Sequence, residues 1–131
     1  MAKYEGTKLI DFEPRDTVAT LEINDIEVGT GQEAKEGDVV TVHYTGALCK
    51  NGIIFQSSHD LGEAISFGLN QVIAGWTEGV PGMKVGGMRR LIIPSEKAYG
   101  SVRAAKNIPP NSDLVFDIEL ISIDTNYATI K

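Results

Sequence analysis

The side chains that could carry covalent or metal chemistry are few in this sequence. It contains two histidines, His43 and His59, and one cysteine, Cys49. That set is too small for a transition-metal site, which uses three or four nitrogen and sulfur ligands. The Gly-x-Ser-x-Gly, Gly-x-x-x-x-Gly-Lys and His-Glu-x-x-His motifs are also absent. Nucleophilic and metal-dependent catalysis are therefore not indicated, and His43 is interpreted as a packed strand residue.

One glycine-rich segment matches a nucleotide-binding fingerprint by spacing alone. Residues 29–34, Gly-Thr-Gly-Gln-Glu-Ala, have the Gly-x-Gly-x-x-Ala pattern. That pattern binds a dinucleotide only when a helix follows it within a βαβ unit. Here residues 35–38 read as a turn and a strand begins at Val39, so no helix fits. The segment is interpreted as a connection between strands.

The remaining candidates are apolar side chains. The only tryptophan, Trp76, lies within residues 71–79, between a strand-like stretch and a short helix-like one. Indole offers a broad, rigid apolar surface with one N–H donor. Other large apolar residues fall on separate predicted elements: Tyr44, Phe55, Val72, Ile73, Tyr99, Ile108 and Phe116. Such a set can form an ordinary core or line an apolar pocket, and the residue pattern alone favours the core.

Alternating apolar residues predict the strands that would position this set. The predicted strands cover residues 18–28 (interrupted near 24–25), 39–48, 65–69, 88–93 and 114–120. Asn51-Gly52 is typical of a tight hairpin turn, after which residues 53–55 should return antiparallel. Residues 56–62 read as a loop or bulge. A helix is predicted only over residues 73–80, ended by Pro81. The pattern therefore indicates an α+β domain with the helix packed on one face of the sheet.

Size and charge narrow the possible partners. The chain has 131 residues, of which 42% are hydrophobic, as expected for one soluble domain. Its net charge of −6 argues against a nucleic-acid partner. Arg89 and Arg90 would point to opposite faces of a strand and form no basic patch. No apolar run approaches the ~20 residues that cross a bilayer, and the N-terminus lacks a signal-peptide pattern. We therefore expect no membrane partner and a cytoplasmic location.

Six short motifs carry further information. They are residues 42–46 (Val-His-Tyr-Thr-Gly), 55–58 (Phe-Gln-Ser-Ser), 72–79 (Val-Ile-Ala-Gly-Trp-Thr-Glu-Gly), 98–100 (Ala-Tyr-Gly), 108–110 (Ile-Pro-Pro) and 114–120 (Leu-Val-Phe-Asp-Ile-Glu-Leu). In this order and spacing the sequence resembles the FKBP family, the FK506-binding peptidyl-prolyl cis-trans isomerases. The resemblance runs from about residue 21 to 123. It implies an isomerase domain over residues 21–124, an N-terminal extension over 1–20 and a C-terminal tail over 125–131.

The resemblance also implies a fold and a site. It implies a twisted antiparallel sheet of five to six strands wrapped over one short helix, with the active pocket between them. Trp76 would form the pocket floor beneath the proline ring, and the Tyr99 hydroxyl and the Ile73 backbone N–H would donate to ligand carbonyls. The implied catalytic residues are Tyr44, Phe55, Gln56, Trp76, Tyr99 and Phe116. The implied substrate- or macrolide-binding residues are Val72, Ile73, Ile65, Leu61, Ala104 and Ile108.

Four positions depart from the family pattern. Gln56 stands where aspartate is usual, and Leu61 stands where an arginine often pairs with that aspartate. Replacing both members of an ion pair together avoids leaving one charge unpaired. Ile65 replaces a common aromatic wall residue, and Ala104 a loop residue that is often bulkier. Gln56 is still able to hydrogen-bond to Tyr44, and we expect macrolide affinity to be altered more than isomerase activity.

The implied activity requires neither metal nor cofactor, in keeping with the scarcity of acid–base motifs. The implied partners are proline-containing peptides, unfolded proteins and macrolides such as FK506 or rapamycin, and we expect the protein to be a monomer. A binding module remains the alternative, in which the same pocket docks partner proteins with little turnover.

Overall fold

The computed structural model describes residues 3–102 and 107–124. The strands are β1 (Glu22–Glu27), β2 (Val39–Leu48), β3 (Ile54–Ser57), β4 (Ile65–Gly68), β5 (Met88–Ile93) and β6 (Leu114–Asp124). The helices are α1 (Ser58–Leu61) and α2 (Ala74–Gly79), with a 3-10 turn at Ser95–Lys97. All strand pairings are antiparallel. The predicted α+β fold is confirmed.

The long strand β2 organises the sheet. The strand order is β1-β5-β6-β2-β3, and β4 also pairs with β2. One edge of β2 pairs with β6 along its length, from Val39 to Leu48. The other edge is shared, because Val39–Val42 pairs with β4 and Thr45–Ala47 pairs with β3. β3 and β4 therefore follow each other along one side of β2.

Helix α2 lies directly on the inner face of the sheet because its glycines permit close approach. A Cβ atom on Gly75 would lie 2.6 Å from side-chain atoms of Ile93, and one on Gly79 would lie 2.7 Å from Leu91. Both distances are shorter than real carbon–carbon contacts. The helix occupies the residues predicted for it, and its neighbours on the sheet are fully buried.

Two local predictions need correction. Residues 56–62 are not only a loop, since α1 forms there with Ser57 as its N-cap and Gly62 at φ 81° as its C-cap. One helical turn is too short to produce a periodic apolar pattern. The first strand is shorter than residues 18–28, because Val18 turns away from the sheet edge and is buried on the outer face.

The outer face of the sheet is partly covered by residues 3–18, called here the strap. The strap follows the free edge of β3, where Gly6 N–H donates to Ile54 O and Ile54 N–H donates to Thr7 O, both at 2.8 Å. Further on, Leu9 and Val18 pack on a second apolar cluster that contains Cys49. Two carbonyls of the strap, those of Ile10 and Asp11, accept hydrogen bonds from Arg90. The predicted tail, residues 125–131, lies outside the described residues.

The adjacent arginines point to opposite faces, as strand alternation predicts. Arg89 turns towards α2, where its guanidinium donates to Gly79 O at 2.8 Å and pairs with Asp25 at 2.6 Å. Arg90 turns to the outer face and pairs with Asp117 at 2.6 Å. Neither guanidinium lines the cavity beside α2. Within the described residues, no helix is long and apolar enough to span a membrane.

Candidate active site

A cavity of about 140 Å³ opens between α2 and the inner face of the sheet. Its walls come from β2, β3, β4, β6, the start of α2 and the loop after β5. The lining residues are Tyr44, Phe55, Gln56, Phe67, Val72, Ile73, Trp76, Tyr99 and Phe116. Eight of the twelve residues proposed from the sequence therefore meet at one pocket, and one lining residue, Phe67, was not proposed.

Trp76 forms the floor of this cavity. Its indole is 3% exposed and meets three other rings edge-on: Tyr44 at 5.6 Å, Phe67 at 5.1 Å and Phe116 at 5.4 Å between centroids. Such edge-to-face arrangements are the favoured geometry of aromatic pairs. The ring is held from several sides, so it presents a rigid surface. Its Nε1–H is buried and has no hydrogen-bond partner among the described residues.

A glycine in β2 allows the wall to close. Gly46 lies opposite Phe116 in the β2–β6 register. A Cβ atom on Gly46 would come within 2.7 Å of the rings of both Phe116 and Phe55. Because only hydrogen occupies that space, the two rings pack edge-on with centroids 5.7 Å apart. The glycine of the first family-like motif thus has a direct packing role in the pocket wall.

Two donors face possible ligands without an internal acceptor. Ile73 is the N-cap of α2, and its backbone N–H donates to no acceptor within the described ranges. Free N–H groups are a general property of helix starts. Tyr99 lies at the rim, where it is 40% exposed. Burial first, and the nearby Tyr99 second, raise the pKa of Tyr44 above its ordinary value, so this phenol stays neutral at physiological pH.

The position that most differs from the family pattern lies on the pocket wall. Gln56 lines the cavity, but within the described residues its side chain does not make the hydrogen bond to Tyr44 that a glutamine there could form. The backbone of Tyr44 is instead bound by Ser58, whose Oγ accepts from Tyr44 N–H at 2.8 Å. Ser58 is the first residue of α1, so the hydrogen-bond acceptor for the Tyr44 backbone N–H comes from that helix.

Of the proposed binding residues that the structure describes, three do not line the cavity. Leu61 is 59% exposed, because α1 ends there and turns its side chain to solvent. Ile65 is half-buried and packs on the core beside the pocket. Ile108 is buried beneath the surface of the same core rather than at the entrance. Ala104 lies outside the described residues.

Phe67 is the lining residue that the sequence reasoning missed. It is central in β4, pairs with Val40 of β2, and contacts both Tyr44 and Trp76 edge-on. The signal was present in the alternation of residues 65, 67 and 69, which share one face of a strand. Matching by family position placed the wall residue at Ile65. The paired register instead brings the aromatic ring two residues later to the cavity.

The lining suits desolvation rather than acid–base chemistry. No carboxylate, imidazole or thiol is among the lining residues, and the only titratable ones are two tyrosines. Residues 3–102 and 107–124 contain no cluster of three or more His, Cys, Asp or Glu side chains arranged to hold a metal ion. The pocket offers aromatic surfaces and neutral hydrogen-bond donors, among them the Ile73 backbone N–H and the Tyr99 hydroxyl. It can bind a compact apolar group together with adjacent carbonyls.

Comparison with known proteins gives a consistent family. Residues 30–121 match the model described as FKBP-type peptidyl-prolyl cis-trans isomerase. An FK506-binding protein of Neisseria meningitidis serogroup A is 47% identical over 108 residues, which cover 81% of this chain and 98% of that protein. The peptidyl-prolyl cis-trans isomerase FPR2 of Saccharomyces cerevisiae is 42% identical over 118 residues, covering 82% of this chain and 87% of the yeast protein.

Solved structures agree with this comparison. The crystal structure of FkpA from Escherichia coli has a TM-score of 0.73 and 43% sequence identity, and the match covers 84% of this chain and 53% of that one. The crystal structure of AtFKBP13 has a TM-score of 0.71 and 41% identity, covering 79% of this chain and 93% of the other. The sheet and helix described above thus match those of solved structures that are 41–43% identical in sequence.

Proposed function

This chain belongs to the FKBP-type peptidyl-prolyl cis-trans isomerase family, and we propose that it accelerates rotation about X-Pro bonds in the pocket floored by Trp76. The family match and the similar yeast isomerase identify it as a peptidyl-prolyl cis-trans isomerase. The observation that carries the assignment of the site is the closed set of rings around one cavity, with two unoccupied donors beside it. Proline-containing segments of unfolded or partner proteins are the proposed substrates, and assistance to protein folding is the proposed role.

Such a pocket accelerates the reaction by its polarity. Rotation of a peptide bond has a barrier of ~18–20 kcal/mol because resonance holds the bond planar. The twisted transition state has lost that resonance and is less dipolar than the planar amide. A dry aromatic cavity therefore disfavours the ground state relative to the transition state, which is differential binding. A thousandfold acceleration requires about 4 kcal/mol of such preference.

The donors give the substrate one orientation. With the proline ring on the indole of Trp76, the backbone N–H of Ile73 and the hydroxyl of Tyr99 are placed to bind carbonyls on either side of the ring. Tyr99 is at the rim and Ile73 is at the start of α2, so the two donors belong to separate elements. Fixing both carbonyls while the ring is held leaves the amide as the part of the substrate that rotates.

A direct assay tests the proposed activity. Isomerisation of a short X-Pro peptide, followed by protease coupling, should exceed the uncatalysed rate at micromolar protein. Replacing Trp76→Leu should lower kcat/KM by about tenfold or more, because the rigid floor is lost. Phe12→Leu is the matched control, since Phe12 packs on the outer cluster, and it should retain activity within about twofold. No rate above background for the folded wild-type protein would favour the non-catalytic docking module.

We further propose that the pocket binds FK506-type macrolides with an affinity set partly by Gln56. The resemblance places a carboxylate where Gln56 lies, and a carboxylate accepts a hydrogen bond from a hydroxyl more strongly than an amide does. Gln56→Asp should therefore tighten FK506 binding by about tenfold, the equivalent of roughly 1.4 kcal/mol. Calorimetric titration measures the Kd of both proteins. Equal Kd values for both would contradict this role of Gln56.

A further inference from the structure

A β-bulge lies in the pocket wall at Phe55. In the β2–β3 register, Gly46 is opposite Gln56 and Ala47 is opposite Ile54, so Phe55 has no partner on β2. The extra residue of a bulge is left out of the ladder, and bulges commonly re-aim a side chain beside an active site. Here the ring of Phe55 is buried against Phe116 and lines the cavity. The carbonyl of Phe55 also has a hydrogen-bond partner outside β2.

Asn107 supplies such a partner from a distant part of the chain. Its Nδ2–H donates to Phe55 O at 3.0 Å, across 52 positions of sequence. The same nitrogen lies 3.5 Å from Glu5 Oε2, which is a long contact beside a well-formed one. Asn107 precedes Ile108, whose side chain is buried in the main core. The backbone of Asn107 is therefore fixed by the buried residue that follows it, and its side-chain amide is fixed by the hydrogen bond to Phe55 O.

The hydrogen bond joins two parts of the pocket that are otherwise separate. Asn107 lies on the returning limb of the β5–β6 connection, whose outgoing limb carries Tyr99. The two limbs are tied by Asn111 N–H donating to Gly100 O at 2.7 Å. On the other side of Phe55, both backbone groups of Ile54 are bound by the strap. The limb and the strap thus fix the bulge from both sides.

We propose that Asn107 is a positioning residue for the isomerase pocket, fastening the loop that bears Tyr99 to the bulged wall at Phe55. This role rests on the proposed catalytic pocket. Asn107 contributes no side chain to the cavity lining, so it acts through Phe55 and Tyr99. Without its amide, the bulge carbonyl loses a donor and the loop loses its tie to β3. The wall and the rim donor would then be ordered only when substrate binds, which weakens binding.

Two substitutions test the proposal in the full chain. Asn107→Asp keeps the size of the side chain but replaces the donor by a second acceptor facing the Phe55 carbonyl. Asn107→Leu keeps much of the volume and removes all polar atoms. Asn70→Asp is the matched control, because Asn70 is exposed and gains the same charge near the strand-to-helix connection. Each protein is assayed with the same X-Pro peptide, and its thermal midpoint is recorded by circular dichroism.

Both Asn107 variants should lower kcat/KM about tenfold, mainly through a higher KM, at a temperature where each is fully folded. The control should stay within about twofold of the wild type. A merely structural role would lower the thermal midpoint and leave KM unchanged in the folded protein, and that result would overturn the proposal. Equal kcat/KM for all four proteins would overturn it as well. An inactive wild type would instead contradict the proposed function, so the two failures are distinguishable.

Discussion

The two faces of the sheet use alternate residues of the same strands for different purposes. On the inner face, Tyr44 and Phe116 place aromatic rings around a cavity of about 140 Å³. On the outer face, Asp117 forms an ion pair with Arg90, and a larger cleft of about 530 Å³ lies between the strap and the sheet. Each face carries a cavity, but only the cavity on the inner face has no charged residue in its lining. The volume of a cavity therefore does not indicate which of the two is the proposed site of the reaction.

The polarity of the lining explains why the smaller cavity suits the chemistry. The outer cleft is bordered by charged or titratable groups from several elements, among them Lys3, Lys8, His43, His59, Asp117 and Glu119. Charges of either sign would stabilise a planar, dipolar amide and so favour the ground state. The inner pocket has no ionised group to do so. The ion pair between Arg90 and Asp117 joins β5 to β6 on the outer face, where no substrate is expected.

The largest effect should come from the inner face. Phe116 contacts three other rings of the wall, those of Tyr44, Phe55 and Trp76, and is almost fully buried. Phe116→Ala should lower the free energy of unfolding by about 3–5 kcal/mol, because it leaves a cavity in the aromatic cluster. It should also reduce kcat/KM on an X-Pro peptide by at least about tenfold. Urea unfolding and the coupled assay measure the two effects.

The neighbouring residue on the outer face serves as the comparison. Asp117 accepts two hydrogen bonds from Arg90, at 2.6 and 2.8 Å, and this bonding raises the pKa of Arg90. Asp117→Asn should cost about 1–3 kcal/mol of stability, since a charge-assisted pair is weakened, while kcat/KM of the folded protein changes less than about twofold. A loss of activity in Asp117→Asn as large as that in Phe116→Ala would break the distinction between the faces.

The smallest effect concerns the strap and depends on pH. The Asp60 carboxylate accepts the backbone N–H groups of Tyr4 and Glu5, at 2.7 and 2.9 Å. These bonds, that from Tyr4 above all, lower the pKa of Asp60 below its ordinary value of 3.8. The ionised carboxylate therefore stabilises the fold above the unfolded pKa, and this contribution disappears as pH falls through the lowered folded pKa.

Asp60→Asn should accordingly reduce the urea midpoint slightly at about pH 7 and by a smaller amount at about pH 3, where the stabilising contribution is partly lost. Asp16→Asn is the control, because Asp16 is an exposed strap residue, and it should show no such difference. Isomerase activity should remain unchanged in both variants between about pH 6 and pH 8. A greater loss for Asp60→Asn at acid pH than at neutral pH would contradict this assignment.

Strands and helices whose signals lie within their own residues were predictable from the sequence. β2 and β5 occupy the residues predicted for them, since the apolar residues of β2 alternate and Pro94 marks the end of β5. Helix α2 was recognisable because Pro81 limits it. The order of the family motifs then indicated Trp76 as the pocket floor, although composition alone favoured a core residue. Each of these features is encoded locally or in short motifs.

Features that depend on pairing were not predictable. The bulge at Phe55 depends on how β3 pairs with β2, and the residue types at positions 54–57 do not indicate it. Phe67 reaches the cavity because Val40 is its partner, which a single strand does not reveal. Leu61 was expected at the site from family position, but the short helix α1 turns it outward. The structure adds the register and the caps that these positions require.

The single tryptophan gives this protein an intrinsic optical probe of its own pocket. Trp76 is the only indole in the chain, and its buried ring touches the space where a proline would rest. Its fluorescence emission therefore arises from one known place, without background from other tryptophans. A ligand that reaches the floor changes the surroundings of that ring, whereas one held in the outer cleft leaves them unchanged. Occupancy of the two cavities can thus be told apart in solution without any label.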